Sequence, residues 1–277
     1  MEIYLSRYFL FELTIVPKNR LTRPKKSYGF TNYIAIRKKF HYYLLLLYQP
    51  LTPNSNNKKL QHMNKSKKFW DSASKNYDKT EERFEYIHSK SRKNTKKYLE
   101  NSNVVLDYGC GTGTVSCEIA DYVKEIHAID ISSKMIEIAK EKAVGQKIEN
   151  ITFSQTDIFD KKHKKESYDR ILAFNMLHTI PNPNDVVRRI NELLKPDGLF
   201  ISVTPCLGGK LSFLIGLQIR LVQIMCTIGI IPVPIRRLKS SDLDHLITNG
   251  NFQTVDSENI YKGASSYFIV VKKNCKK

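Results

Sequence analysis

Val104-Val105-Leu106-Asp107-Tyr108-Gly109-Cys110-Gly111-Thr112-Gly113 is the stretch on which the reading of this 277-residue chain turns. Three apolar residues read as a buried strand, a carboxylate follows, and three glycines come at alternate positions. From Thr114 to Tyr122 the spacing becomes helical, with Val115, Ile119 and Val123 on one face. Strand, glycine turn and helix together open a nucleotide-binding α/β domain. The glycines leave the backbone of the turn open to close approach by a ligand.

The spacing separates two kinds of ligand. A dinucleotide fingerprint runs G-x-G-x-x-G; here the run is D-x-G-x-G-x-G, from Asp107 through Gly109, Gly111 and Gly113. An acid just before the turn repels a pyrophosphate and suits a cation, which disfavours a dehydrogenase. The run resembles motif I of the Rossmann-like S-adenosylmethionine (SAM) methyltransferases, whose ligand carries an ammonium and a sulfonium. Similarity to the small-molecule, quinone-biosynthesis type extends over about residues 68 to 273. It implies a doubly wound α/β sheet, mostly parallel with an antiparallel terminal strand pair, an N-terminal helical segment and a lid inserted after the fifth strand. It also implies SAM as cofactor and methyl transfer to a small acceptor.

Glu125 to Asp130 reads as the second strand, and Asp130 lies 23 residues beyond Asp107. A carboxylate there can accept from both ribose hydroxyls. Ser132 is a plausible N-cap for a helix to Val144. The resemblance puts Cys110 and Ile131 in the cofactor site and Met135 against the adenine; by itself Met135 reads as core. Ile151 to Asp160 is the third strand and its loop. There the resemblance assigns Asp157 to the adenine amino group and Ile158 to a backbone N–H contact, while Asp157 alone reads as a turn or cap residue.

Ser167 to His178 is the fourth strand and its exit, where an open sheet places its crevice. It lacks the N-P-P-Y run of enzymes that methylate adenine or amide nitrogen. Asn175-Met176-Leu177-His178 instead looks like the ending of small-molecule methyltransferases, with Asn175 at the cofactor. His178 has two readings, a general base or a packing histidine. Asp185 to Leu194 reads as an amphipathic helix ended by Pro196, with Gly198 permitting a left-handed turn. Leu199 to Thr204 is the fifth strand, and a short helix from Ser240 leads to strands at Phe252–Val255 and Ser266–Lys272.

Before motif I, Phe69-Trp70-Asp71, Ala73 and Tyr77-Asp78 precede a helix expected over Thr80 to Leu99. The pattern is similar to the segment that folds over the cofactor in many small-molecule methyltransferases, which makes Tyr77 a cofactor contact. Residues 1–62 differ in character. They are rich in Tyr, Phe, Leu and Lys, nearly lack acids, and end at Pro50, Pro53 and an Asn-rich run. They are expected to be a poorly ordered or non-native extension, with the methyltransferase domain over 63–277; an organelle-targeting segment is the other reading.

The lid, about 206–239, is apolar from Leu211 to Ile235 but broken by Gln218, Arg220 and Gln223 and by Pro232 and Pro234, a poor membrane span. It suits a hydrophobic acceptor, and with Arg236, Arg237 and Lys239 it also suits peripheral membrane contact. The net charge of +18 raises nucleic acid as a partner, but about half of it falls in residues 1–62 and the remainder forms short lysine runs typical of a solvated face. Five scattered cysteines, Cys110, Cys117, Cys206, Cys226 and Cys275, show no metal spacing and fit a reducing, cytoplasmic location. Cys206 lies where some RNA cytosine methyltransferases carry a nucleophile, without their fourth-strand motif. An RNA methyltransferase and a SAM-binding scaffold without turnover are therefore the alternatives to a small-molecule methyltransferase.

Overall fold

The computed structural model describes residues 55–209, 211, 213–261 and 265–274. The chain divides into two units, Met1–His62 and Met63–Lys277. The extension expected at 1–62 lies almost wholly outside the described residues.

The elements run α1 (Ser55–Ala73), α2 (Tyr77–Glu81), α3 (Glu85–Lys96), β1 (Val104–Tyr108), α4 (Thr114–Ile119), β2 (Glu125–Asp130), α5 (Ser133–Gly145), β3 (Ile151–Gln155), β4 (Tyr168–Phe174), α6 (Pro183–Leu193), β5 (Leu194–Pro205), α7 (Phe213–Thr227), α8 (Ser240–Asn249), β6 (Phe252–Tyr261) and β7 (Ser265–Lys273). Seven strands form one sheet in the order β3-β2-β1-β4-β5-β7-β6. Neighbours from β3 to β5 are parallel, whereas β7 runs antiparallel to both β5 and β6. The order reverses between β1 and β4, and a crevice opens there at the carboxyl ends of the strands.

Period-two alternation divides the core between the two faces of the sheet. Leu106, Ile171 and Phe200 pack with Val186, Val187 and Ile190 of α6 and with Leu243 and Ile247 of α8. Their neighbours Val105, Leu172 and Ile201 pack with Ile87 of α3, Ile119 of α4 and Ile136 of α5. Central strands covered on both sides read as apolar runs, which is why Val104–Leu106 is legible from sequence.

Three boundaries differ from expectation. The helix foreseen over Thr80 to Leu99 is two helices, α2 and α3, joined by a 3-10 turn at Glu82–Phe84. The strand foreseen at Leu199 begins at Leu194 and carries Lys195-Pro196-Asp197-Gly198 with it. The left-handed residue there is Asp197 (φ 63°), not Gly198; Gly198 is needed instead because a Cβ would stand 3.0 Å from the Lys195 carbonyl oxygen. The last two strands are also longer than their apolar cores, because their mutual pairing continues past them.

Candidate active site

The loop Gly109–Gly113 forms where β1 meets α4. Gly109 N–H and Cys110 N–H both donate to the Ile129 carbonyl of β2, at 2.8 and 3.0 Å. Gly109, Gly111 and Gly113 all have positive φ (74°, 54° and 75°). At Gly113 a Cβ would lie 2.8 Å from that of Ala139, so the third glycine lets α4 and α5 approach. Asp107 is buried inside β1 and accepts from the Ser116 hydroxyl at 2.5 Å. Burial pushes its carboxyl up to about 6.

Asp130, at the end of β2, ties the loop to α5. One carboxylate oxygen accepts from Gly111 N–H (3.1 Å) and the other from Ser132 N–H (2.8 Å). Burial raises this carboxyl to about 6 against the lowering effect of those two bonds. Each oxygen retains a lone pair for a further donor. Ser132 caps α5, its hydroxyl accepting from Met135 N–H at 3.1 Å. The Met135 side chain is fully buried. The Ile131 carbonyl accepts from Gln155.

The segment before α3 lies across this loop. Asp71, near the end of α1, accepts from the Ser132 hydroxyl (2.6 Å) and Lys134 N–H (3.1 Å), placing a carboxylate at the N-terminus of α5. Asp78 accepts from the Thr112 hydroxyl and from Lys142 Nζ (3.0 Å). Between these two carboxylates, Tyr77 packs its ring edge against Trp70 and stands over Gly111, whose added Cβ would be 3.5 Å from the tyrosine ring.

A cleft of about 260 Å³ opens beside Tyr77, walled by Asp107 of β1, by Gly109 and Cys110 of the loop, by Phe174 at the end of β4 and Asn175 just beyond it, and by α2 and α3. Asn175 holds φ 55°, rare for a non-glycine residue. Its side-chain amide donates to Glu81 Oε2 at 3.2 Å. Sequence reasoning missed the other wall. Glu81, Glu85, His88 and Arg92 recur at i, i+4, i+7 and i+11, an ionisable stripe on the helical stretch before motif I.

Not every expected residue reaches this cleft. Asp157 caps its own turn, accepting from Phe159 N–H at 2.7 Å, and Ile158 is buried beyond β3. His178 is only 4% exposed and does not line the cleft. Its carbonyl accepts from Arg236 N–H, and burial pushes its imidazole down to about 4. The buried ring is carried on the 3-10 turn Leu177–Thr179.

A family model described as a methyltransferase domain matches residues 99–259. The chain belongs to the methyltransferase-domain family. By family and fold this chain is of the class I, SAM-dependent kind, and SAM is the cofactor which that family implies. The glycine cradle and the end-of-strand acid fit that group: all three glycines hold positive φ, a Cβ at Gly109 or Gly113 would stand within 3.0 Å of a neighbouring side chain, and Asp130 keeps acceptor capacity. Ubiquinone biosynthesis O-methyltransferase of Pasteurella multocida (strain Pm70) is 30% identical over 109 residues, covering 36% of this chain and 45% of its own. Malonyl-[acyl-carrier protein] O-methyltransferase of Halalkalibacterium halodurans is 28% identical over 149 residues, 52% of this chain and 53% of its own. The chain thus spans about half the length of the curated relatives it matches. The crystal structure of YcgJ from Bacillus subtilis shares the fold, with a TM-score of 0.56 at 17% identity, covering 68% of this chain and 100% of that one.

Proposed function

We propose that this methyltransferase transfers a methyl group from SAM to a small, apolar acceptor, with an oxygen acceptor favoured. The observation that carries methyl transfer is the position of the cleft. It lies at the switch point between β1 and β4, against the glycine loop, with the α1–α2 segment across it. The two curated relatives described above are both named O-methyltransferases, which favours oxygen.

Bound SAM supplies a methyl carbon made electrophilic by the sulfonium. The chain's part is to hold, orient and exclude water. In this reading Asp130 accepts from the ribose hydroxyls, Asp157 and the Ile158 backbone address the adenine, and Ile131 and Met135 flank it. Asp107, Gly109, Cys110, Gly111, Gly113 and Asn175 form the amino-acid end. Tyr77 closes the loop from above.

The lid supports an apolar acceptor and peripheral membrane contact. On α7, Val222 faces inward, yet Leu217, Leu221 and Ile224 are exposed, as are Ile228 and Ile230 just beyond. That outer apolar stripe adjoins exposed Arg220. Among the described residues no helix is long and apolar enough to cross a membrane. A cytoplasmic, reducing location rests on the free thiols of Cys110, Cys117, Cys206 and Cys226.

Calorimetry of S-adenosylhomocysteine (SAH) with the full chain, with NAD as control, tests the cofactor. A transfer assay with radiolabelled SAM then compares apolar phenols and carboxylic acids with RNA. Methylation of the small acceptors supports the proposal, and methylation of RNA alone sinks it.

A further inference from the structure

The walls of the cleft are acidic although the chain carries a net charge of +18. Most of those acids are already engaged. Asp78 is paired with Lys142 Nζ at 3.0 Å. Glu85 and Glu118 share Arg92, at 2.6 and 2.7 Å. Asp107 is sequestered in β1 with Ser116. Glu82 is exposed on the turn beyond α2.

Glu81 differs from these. Its carboxylate is partly buried, accepts from Asn175 Nδ2 at 3.2 Å, and has His88 Nε2 at 2.9 Å. His88 Nδ1 in turn lies 3.4 Å from the same Asn175 amide. Neither neighbour carries a permanent positive charge. After burial itself, the charge of Glu81 is the largest cause raising the Tyr77 phenol, and both residues line the cleft. A carboxylate with no fixed countercharge is thus held between Tyr77 and the exit of β4, at the end of the cleft assigned to the amino-acid portion of the cofactor.

We propose that Glu81 reads the charge of the cofactor, favouring SAM over its demethylated product. The inference rests on the SAM reading. SAM and SAH share the ammonium and the carboxylate; they differ by the methyl group and by the positive charge on sulfur. A fixed negative charge beside the site therefore contributes more to binding SAM, which carries the additional sulfonium charge, than to retaining SAH, which eases product release. Asn175 is a positioning residue, whose amide holds the carboxylate at the wall of the cleft. The left-handed backbone of Asn175 is what lets its amide reach Glu81 from the end of β4.

Titration calorimetry on the full chain tests this without any methyl acceptor. The readout is the ratio of the SAH and SAM dissociation constants for wild type and for Glu81→Gln, which keeps the shape and removes the charge. The ratio is expected to fall by about three- to fivefold, the upper range for a partly exposed ion pair, with SAM affinity falling more than SAH affinity. An unchanged ratio with both ligands bound overturns the proposal. Should Glu81→Gln fail to fold, wild type alone decides. Raising NaCl from about 50 to about 500 mM screens the charge and should lower the ratio, and a flat ratio refutes the idea. Binding of neither ligand to folded wild type would instead remove the SAM reading on which the proposal depends.

Discussion

Two carboxyls at the heart of the site are held in an unfavourable state. Asp107 and Asp130 are each raised by burial to about 6, from an ordinary value near 4. A carboxyl with a raised folded value binds its proton more tightly folded than unfolded, so its contribution to stability is greatest below about pH 4 and is lost as pH rises through about 6. The ligand-free protein should therefore lose melting temperature across that window. Asp107→Asn, which keeps the Ser116 partner, should flatten the slope and raise the melting temperature at pH 7.5, as read by a thermal-melt series. An unaltered slope would show that Asp107 is not the titrating group. Asp130→Ala should weaken SAH by at least about tenfold in calorimetry, because a lost charge-assisted bond to each of two hydroxyls exceeds ~1.4 kcal/mol. Asp130 is expected from its spacing after the glycine run; Glu81 and His88 are not, because their meaning depends on Asn175, 94 residues beyond Glu81 along the chain.

At the scale of elements, the α1–α2 segment and α5 form a clasp around the glycine loop. Asp71 caps α5 from outside while Ser132 caps it from within. Asp71→Ala should cost about 1 kcal/mol of stability, as a lost helix cap does, and should speed SAH dissociation in stopped-flow measurements. Stability loss with unchanged dissociation would make Asp71 a cap and nothing more. Gly113→Ala should be more damaging. It forces an alanine to φ 75° and a Cβ to within 2.8 Å of Ala139, for about 2–4 kcal/mol from backbone strain and overpacking together. Its melting temperature, read beside that of Gly145→Ala, where an added Cβ meets nothing within 4 Å, checks the steric origin.

Across the whole molecule, a basic chain carries an apolar stripe on its lid helix. Replacing Leu221 and Ile224 with Asp should abolish any co-sedimentation with anionic phospholipid vesicles and leave SAH binding intact, since neither residue lines the cleft. Vesicle binding that survives both changes would assign the attraction to charge distributed elsewhere. The charge by itself did not identify a partner: the cleft is acidic in a molecule that is strongly basic, so the net value describes the surface and not the site.

The sequence by itself determined the sheet, the glycine loop and the acid at the end of β2. These are local: apolar runs, positive-φ positions and an N-cap are written in residues adjacent along the chain, and the distance from Asp107 to Asp130 is one helix and two strand ends. Only the tertiary structure decided what lines the cleft. It turned His178 into the core, where desolvation depresses its basicity. It brought Asp71, Asp78 and Glu81 over a loop that begins tens of residues later. Residue type records which groups a chain can ionise or pack. Which of them share a cleft depends on how helices cross the sheet, and that is set by packing between segments far apart in sequence.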